Sequence, residues 1–306
     1  MKTRKQLLSI GVAGVMALGI AACGGGEKNT IAVDGSSTVG PLTEAAAEGF
    51  QGSEGGTDTN VTVGVSGTGG GFEKFCAGET DISDASRAIE PDEVAACKKA
   101  GVEYEEIQVA NDGIALVVNA SNDFADCLTL DQAKSIWDKD SKISNWNEVD
   151  PKFPDVKLEL FGPGTDSGTF DFFTDKVNGE EGRSRADYAA TEDDNVTVQG
   201  VSGSEGGLGY FGLSYAEENS DKVKPVAIDA GSGCVVPSSE TVQSGEYTPL
   251  SRPLLIYPSK KAMERPEVSA FLKYFVDSSA ELATQAKFVP LTDEQLSKSK
   301  SVTDKL

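Results

Sequence analysis

Apolar and polar positions alternate between two periods along most of the chain, and the switches mark the elements. Thr30-Ile31-Ala32-Val33 reads as a strand, and Leu42 to Phe50, with three consecutive alanines, as a helix. Asn60 to Val65 alternates Val with polar residues, the period of a half-buried strand. A helix is expected from Phe72 to Ala77, a short strand around Ile82, and a helix over Pro91 to Ala100 with Pro in its first turn and Gly101 just past its end. Tyr104 to Val109 and the unbroken apolar run Ile114 to Val118 read as two strands, the second buried on both faces. Further on, Leu130 to Trp137 reads as a helix, Leu158 to Phe161 as a strand and Phe170 to Val177 as a helix. Asp187 to Asn195 is acidic and expected at the surface. Strands are expected at Val223 to Ile228 and Leu254 to Tyr257, with Gly206 to Gly212 as a close-approach segment. Val268, Phe271, Leu272, Phe275 and Val276 have helical spacing and form a packing face. Alternating strands and helices predict an α/β protein with largely parallel sheets. Val109 to Gly113 and Pro249 to Pro253 are the expected crossing points between two lobes, 30–109 plus 253–306 and 110–252.

The first residues depart from this pattern. Lys2, Arg4 and Lys5 precede an apolar stretch from about Leu7 to Ala22 and then Cys23. The stretch is short for a membrane span, which needs about 20 apolar residues, and reads as a signal peptide over 1–22. Ile20-Ala21-Ala22-Cys23 resembles the bacterial lipobox, in which the cysteine is lipidated and becomes the first residue. Residues 23–29, glycine-rich at their start, read as a tether. Lipid on Cys23 leaves Cys76, Cys97, Cys127 and Cys234, an even count that suggests two disulfides in an exported protein. Three pairings are possible. Proximity within the first half favours Cys76–Cys97, leaving Cys127–Cys234. A metal site has no support from a C-x-x-C spacing or a histidine.

The chain of 306 residues carries 27 basic and 49 acidic side chains and no histidine. The acid excess argues against a nucleic-acid partner, which requires a basic face. The lack of histidine removes Ser-His-Asp and Cys-His catalysis.

The chemistry concentrates in loops. Gly35-Ser36-Ser37-Thr38-Val39, Ser66-Gly67-Thr68-Gly69-Gly70-Gly71 and Gly164-Thr165-Asp166-Ser167-Gly168-Thr169 each join an expected strand to an expected helix. Such a loop aims backbone N–H groups and hydroxyls at one point, and the helix adds the positive end of its dipole. Any one of them is equally explained as a helix N-cap. With Asp81-Ile82-Ser83-Asp84-Ala85-Ser86-Arg87 they describe a socket for a small oxyanion. Arg87 is suited to a bidentate contact. Asp84 makes sense there if the ligand keeps a proton to donate, as monohydrogen phosphate does and sulfate does not. Asp166-Ser167-Gly168-Thr169 also fits the Asp-Ser/Thr-Gly pattern of aspartic proteases, but those need two carboxylates and the chain offers one copy.

Asp-Gly-Ser-Ser-Thr-Val at 34–39, Gly-Thr-Gly-Gly-Gly-Phe at 67–72, the Asp84 segment, Asn-Asp-Gly-Ile-Ala-Leu-Val-Val-Asn at 111–119 and Phe-Gly-Pro-Gly-Thr-Asp-Ser-Gly-Thr-Phe at 161–170 occur in an order that resembles the phosphate-binding proteins of bacterial phosphate ABC transporters. The resemblance implies a two-lobed type II periplasmic-binding-protein fold with a two-strand hinge, no cofactor and no catalysis. It implies inorganic phosphate held by Thr38, Val39, Thr68, Gly69, Asp84, Ser86 and Arg87 from one lobe and Ser167, Gly168 and Thr169 from the other. Many members carry an arginine four residues before the Ser of Ser-Gly-Thr, and here that residue is Pro163, which leaves Arg87 as the replacement. The implied whole is a lipid-anchored, extracytoplasmic monomer that hands phosphate to ABC permease subunits. The alternatives are a sensor or scavenger on the same fold, and a hydrolase using Asp166 or Asp84.

Overall fold

The computed structural model describes residues 29–306; the expected signal peptide, Cys23 and most of the tether lie outside them. The chain begins with β1 (Asn29–Gly35), α1 (Gly40–Gln51), β2 (Thr59–Val65), α2 (Gly67–Cys76), β3 (Ile82–Ala85) and α3 (Pro91–Ala100). A long strand, β4 (Ile107–Asn119), leads to β5 (Cys127–Thr129), α4 (Leu130–Trp137), α5 (Trp146–Val149), β6 (Glu159–Gly162) and α6 (Gly168–Phe173). Then come β7 (Ala189–Ala190), α7 (Asp194–Gly203), β8 (Gly207–Gly212), α8 (Leu213–Glu218), β9 (Val223–Pro225), β10 (Ala227–Asp229), β11 (Cys234–Val235) and α9 (Ser239–Ser244). The chain returns through β12 (Ser251–Pro258) and ends with α10 (Lys260–Met263), α11 (Pro266–Asp277), α12 (Ser279–Gln285) and α13 (Asp293–Thr303). None of the described helices is long and apolar enough to cross a membrane.

The main sheet runs in the order β2-β1-β3-β12-β4-β8-β6-β7, with β9 also on β4. The two expected strands at 104–109 and 114–118 are one strand, because β4 changes partner midway. Ile107 to Gly113 pairs with β12, and Ile114 to Val118 pairs with β8. The hydrophobic core divides at the same place. One core gathers Ile31, Val33, Leu42, Phe50, Val109, Ala110, Leu254 and the α11 stripe. The other gathers Ile114 to Val118, Trp137, Phe173, Tyr210 and Leu250, and it includes Val289 from the C-terminal stretch. Val289 exchanges backbone hydrogen bonds with Asn111. A smaller cluster of Phe72, Phe75, Cys76, Cys97, Leu255 and Tyr257 fills the opposite face of the first sheet half. Alternate residues of β12 therefore feed two layers. This is a mixed α/β protein whose main sheet crosses between two cores.

Several expectations change. The sheet is mixed rather than largely parallel, because β12 and β4 run antiparallel to their neighbours while β1–β2, β1–β3, β6–β8 and β6–β7 are parallel. Val223 to Ile228 splits at Val226 into β9 on β4 and β10 on β5. The helix from Phe170 ends at Phe173 and widens into a π turn over Thr174–Asn178. At its start the Thr174 hydroxyl lies 2.9 Å from the Phe170 carbonyl and 3.0 Å from that of Asp171, a bonding back to the preceding turn that loosens helices. Both disulfides, Cys76–Cys97 and Cys127–Cys234, are present.

Candidate functional site

β1, β2 and β3 run parallel, so the segments that follow them emerge at one end of the sheet, where ligands of open α/β sheets bind. There they meet the start of α6 from the other core and enclose a cavity of about 440 Å³. The first side supplies Ser36, Ser37 and Thr38 from the β1–α1 loop, Ser66 to Gly69 at the start of α2, and Ser86 and Arg87 after β3. The facing side supplies Gly168, Asp171 and Phe172 from α6, then Asp175, Lys176 and Glu181, while Arg252 enters from β12.

Each loop folds around its own hydroxyl. Ser36 Oγ accepts from the N–H groups of Thr38 at 3.2 Å and Val39 at 3.4 Å. Thr68 Oγ1 accepts from the Ser86 N–H and lies 3.2 Å from Ser86 Oγ, tying α2 to the end of β3. Ser167 caps α6 by accepting from Thr169 N–H at 3.2 Å. The second loop is shorter than expected, because Gly67 to Gly71 already form the first turns of α2. Gly71 has a packing reason: a Cβ there would lie 2.5 Å from the Gly35 Cα, so α2 could not press on β1. The N-terminal ends of α1, α2 and α6 all face the cavity, a favourable field for a negative charge. The two sides approach closely at Gly168 and Thr38. A Cβ built on Gly168 would be 2.5 Å from Thr38 Oγ1 and 3.1 Å from Ser37 Oγ.

The structure brings Thr38, Thr68, Gly69, Ser86, Arg87 and Gly168 to the cavity wall. Val39, Ser167 and Thr169 stand outside that wall and hold its loops. Asp84 requires a correction. It is fully buried inside β3, outside the cavity wall, and both carboxylate oxygens lack a hydrogen-bond partner. Burial raises its pKa to about 7, and the nearby Asp34 carboxylate reinforces the shift. The carboxylates at the cavity are Asp171, Asp175 and Glu181. Burial and Glu181 weaken the acidity of Asp171, against the pull of Arg252. Asp166, the alternative catalytic residue, is exposed and off the wall.

Arg87 is already engaged. Its Nη1 and Nη2 donate to the two Glu93 oxygens at 2.8 and 2.7 Å. The residue that sequence reasoning missed is Arg252. It is buried on β12, and its Nε donates to Asp112 at 2.9 Å. Nη2 donates to Thr38 Oγ1 at 2.9 Å and to the Gly168 carbonyl at 3.2 Å, and the guanidinium carbon lies 3.9 Å from the Phe172 ring centroid. A usable signal was present: Arg252 and Asp112 both lie in the two segments expected to cross between the lobes. Among the described residues no group of three or more His, Cys, Asp or Glu could hold a metal ion.

The arrangement suits a small, multiply charged oxyanion held by N–H groups, hydroxyls and a guanidinium. Comparison with known proteins agrees. A family model described as a PBP superfamily domain matches residues 22–279. Protein SphX of Synechococcus elongatus is 45% identical over 267 residues, 87% of this chain and 78% of that protein. The phosphate-binding protein PstS of Staphylococcus saprophyticus is 39% identical and covers 93% of this chain and 90% of its own length. Among solved structures, a possible phosphate binding protein from Planctomyces limnophilus superposes with a TM-score of 0.86 at 45% identity, covering 91% of this chain and 98% of that one.

Proposed function

The chain belongs to the PBP superfamily, among its phosphate-binding proteins, and on that premise we propose that it captures inorganic phosphate in the cavity between its two cores and delivers it to an ABC permease. The observation that carries the reading is the meeting of three hydroxyl-bearing loops and a buried arginine at one cavity. Thr38, Thr68, Gly69, Ser86 and Gly168 contact the ligand, and Val39, Ser167 and Thr169 act with them through the loops they hold. The lobes are 30–109 plus 253–306 and 110–252, and the two crossing strands are the hinge. Phosphate touching both lobes favours the closed form by its differential affinity. Asp171 is our candidate to accept the proton of monohydrogen phosphate. Sulfate has none to give and would meet bare repulsion from that carboxylate.

The protein works outside the cytoplasm as a monomer, tethered by lipid on Cys23. It uses no cofactor and catalyses nothing. Binding without transport, as a sensor or scavenger, is separated from this role by phosphate uptake in cells with and without the gene. Calorimetric titration with phosphate and sulfate, beside a turnover assay on phosphoesters and peptides, tests the reading. Saturable phosphate binding without turnover supports it, and hydrolysis lost on changing Asp166 would replace it.

A further inference from the structure

We infer that the cation of the cavity is Arg252, oriented by Asp112, so that the two crossing strands themselves carry the ligand's counter-charge; this rests on the phosphate reading and deepens it. Arg252 and Asp112 are register partners across β12 and β4. Their side chains are 9% and 7% exposed, so the pair is withdrawn from water and its charges are screened little by salt. Asp112 takes one edge of the guanidinium, at Nε. Nη2 is spent on Thr38 Oγ1 and the Gly168 carbonyl, one from each side of the cavity. Packing against Phe172 fixes the plane. That leaves Nη1 without a hydrogen-bond partner among the described residues, on a side chain of the cavity wall.

The competing cations are committed elsewhere. An anion taking Arg87 would have to displace the bidentate Glu93 carboxylate and a contact to Glu90, on a side chain 37% exposed. Lys176 is exposed and pairs with Asp175 at 2.8 Å. Arg252 touches the crossing strand, the β1–α1 loop and α6 together. An anion that binds its free edge therefore binds a group that already spans the two sides. Asp112 is a positioning residue: it neutralises the buried charge and sets the angle of the fork without touching the ligand.

The test is calorimetric titration of the full mature chain with inorganic phosphate. Arg252→Gln should weaken phosphate by roughly ten- to a hundredfold, as expected for a lost charge-assisted hydrogen bond. Arg87→Gln should change affinity by less than about fivefold, as an exposed pair does. Asp112→Asn should weaken binding in the wild-type background and cost nothing further beside Arg252→Gln. A merely structural Asp112 would cost the same in both backgrounds. Should Arg252→Gln melt without a cooperative transition, Arg252→Lys serves instead, with an intermediate loss expected. Arg252 variants that bind like the wild type, or a larger loss from Arg87→Gln, overturn the inference alone. Failure of the wild-type chain to bind phosphate overturns the functional reading and this inference with it.

Discussion

Gly168→Ala is the smallest change that should block closure of the cavity. The added methyl would sit 2.5 Å from Thr38 Oγ1, 3.1 Å from Ser37 Oγ and 3.3 Å from the Thr38 nitrogen. Ordinary contact starts near 3.4 Å, so the worst approach is about 0.9 Å too short. Thr38 cannot simply rotate away, because its hydroxyl is held by Arg252 and its nitrogen is backbone. Within its own lobe the alanine is harmless, since Gly168 opens α6 without a left-handed φ. The molecule can relieve the clash by separating the two sides. Overpacking of this size costs about 1–3 kcal/mol, and here it falls on the closed state alone. Phosphate affinity should drop roughly 5- to 150-fold, while the melting temperature without phosphate stays within a degree or two of the wild type. Calorimetry and melting, each with and without phosphate, read the two effects separately. Wild-type affinity in the variant would mean that Gly168 and Thr38 do not meet around the ligand, and the clamp would have to be redrawn.

Three further outcomes follow from particular residues. Burial raises Asp84 from 3.8 to about 7 in the folded state, so the folded chain binds its proton more tightly than the unfolded one. The Asp84 contribution to stability should therefore be fully present below about pH 4, fall by about 4 kcal/mol as pH rises to 7, and level off above; Asp84→Asn should remove that part of the slope in denaturant melts, and an unchanged slope would clear Asp84 of it. Removing Cys127–Cys234, with its separation of 107 residues, should cost about 5 kcal/mol, against about 3 for Cys76–Cys97 with its separation of 21, by chemical denaturation of the double Ser variants. Thr68→Ala should weaken phosphate by roughly ten- to a hundredfold without unfolding the chain, and a loss confined to stability would make Thr68 only the tie between α2 and Ser86.

The sequence was most legible where local rules decide. Pro91 and Gly101 bounded α3, and the helix expected over Leu130–Trp137 is present with those bounds, its start fixed by the capping box of Thr129 and Gln132. The apolar run Ile114–Val118 announced a strand buried on both faces. The loops at Ser36, Thr68 and Gly168 were legible as one site because several weak signals occur in one order. What failed is non-local. Nothing near Ile107 reveals that β4 runs unbroken from one sheet half to the other, since that follows from its partners β12 and β8. The direction of Asp84 was misjudged for a related reason. β3 continues through it to Ala85 and all four of its residues are buried, so the segment reaches the cavity wall only with Ser86, the first residue past the strand. Arg252 was hidden by distance: 84 residues separate it from Gly168 and 214 from Thr38. Only the pairing of the crossing strands brings its guanidinium between them.

The central claim is that this cavity holds one phosphate and selects it by charge and proton. Calorimetric titration of the wild-type chain with phosphate and, separately, with sulfate at the same pH tests it most directly. The account predicts one saturable phosphate site per chain and no saturable heat from sulfate over the same range. Equal binding of sulfate, or no binding of phosphate, would contradict it.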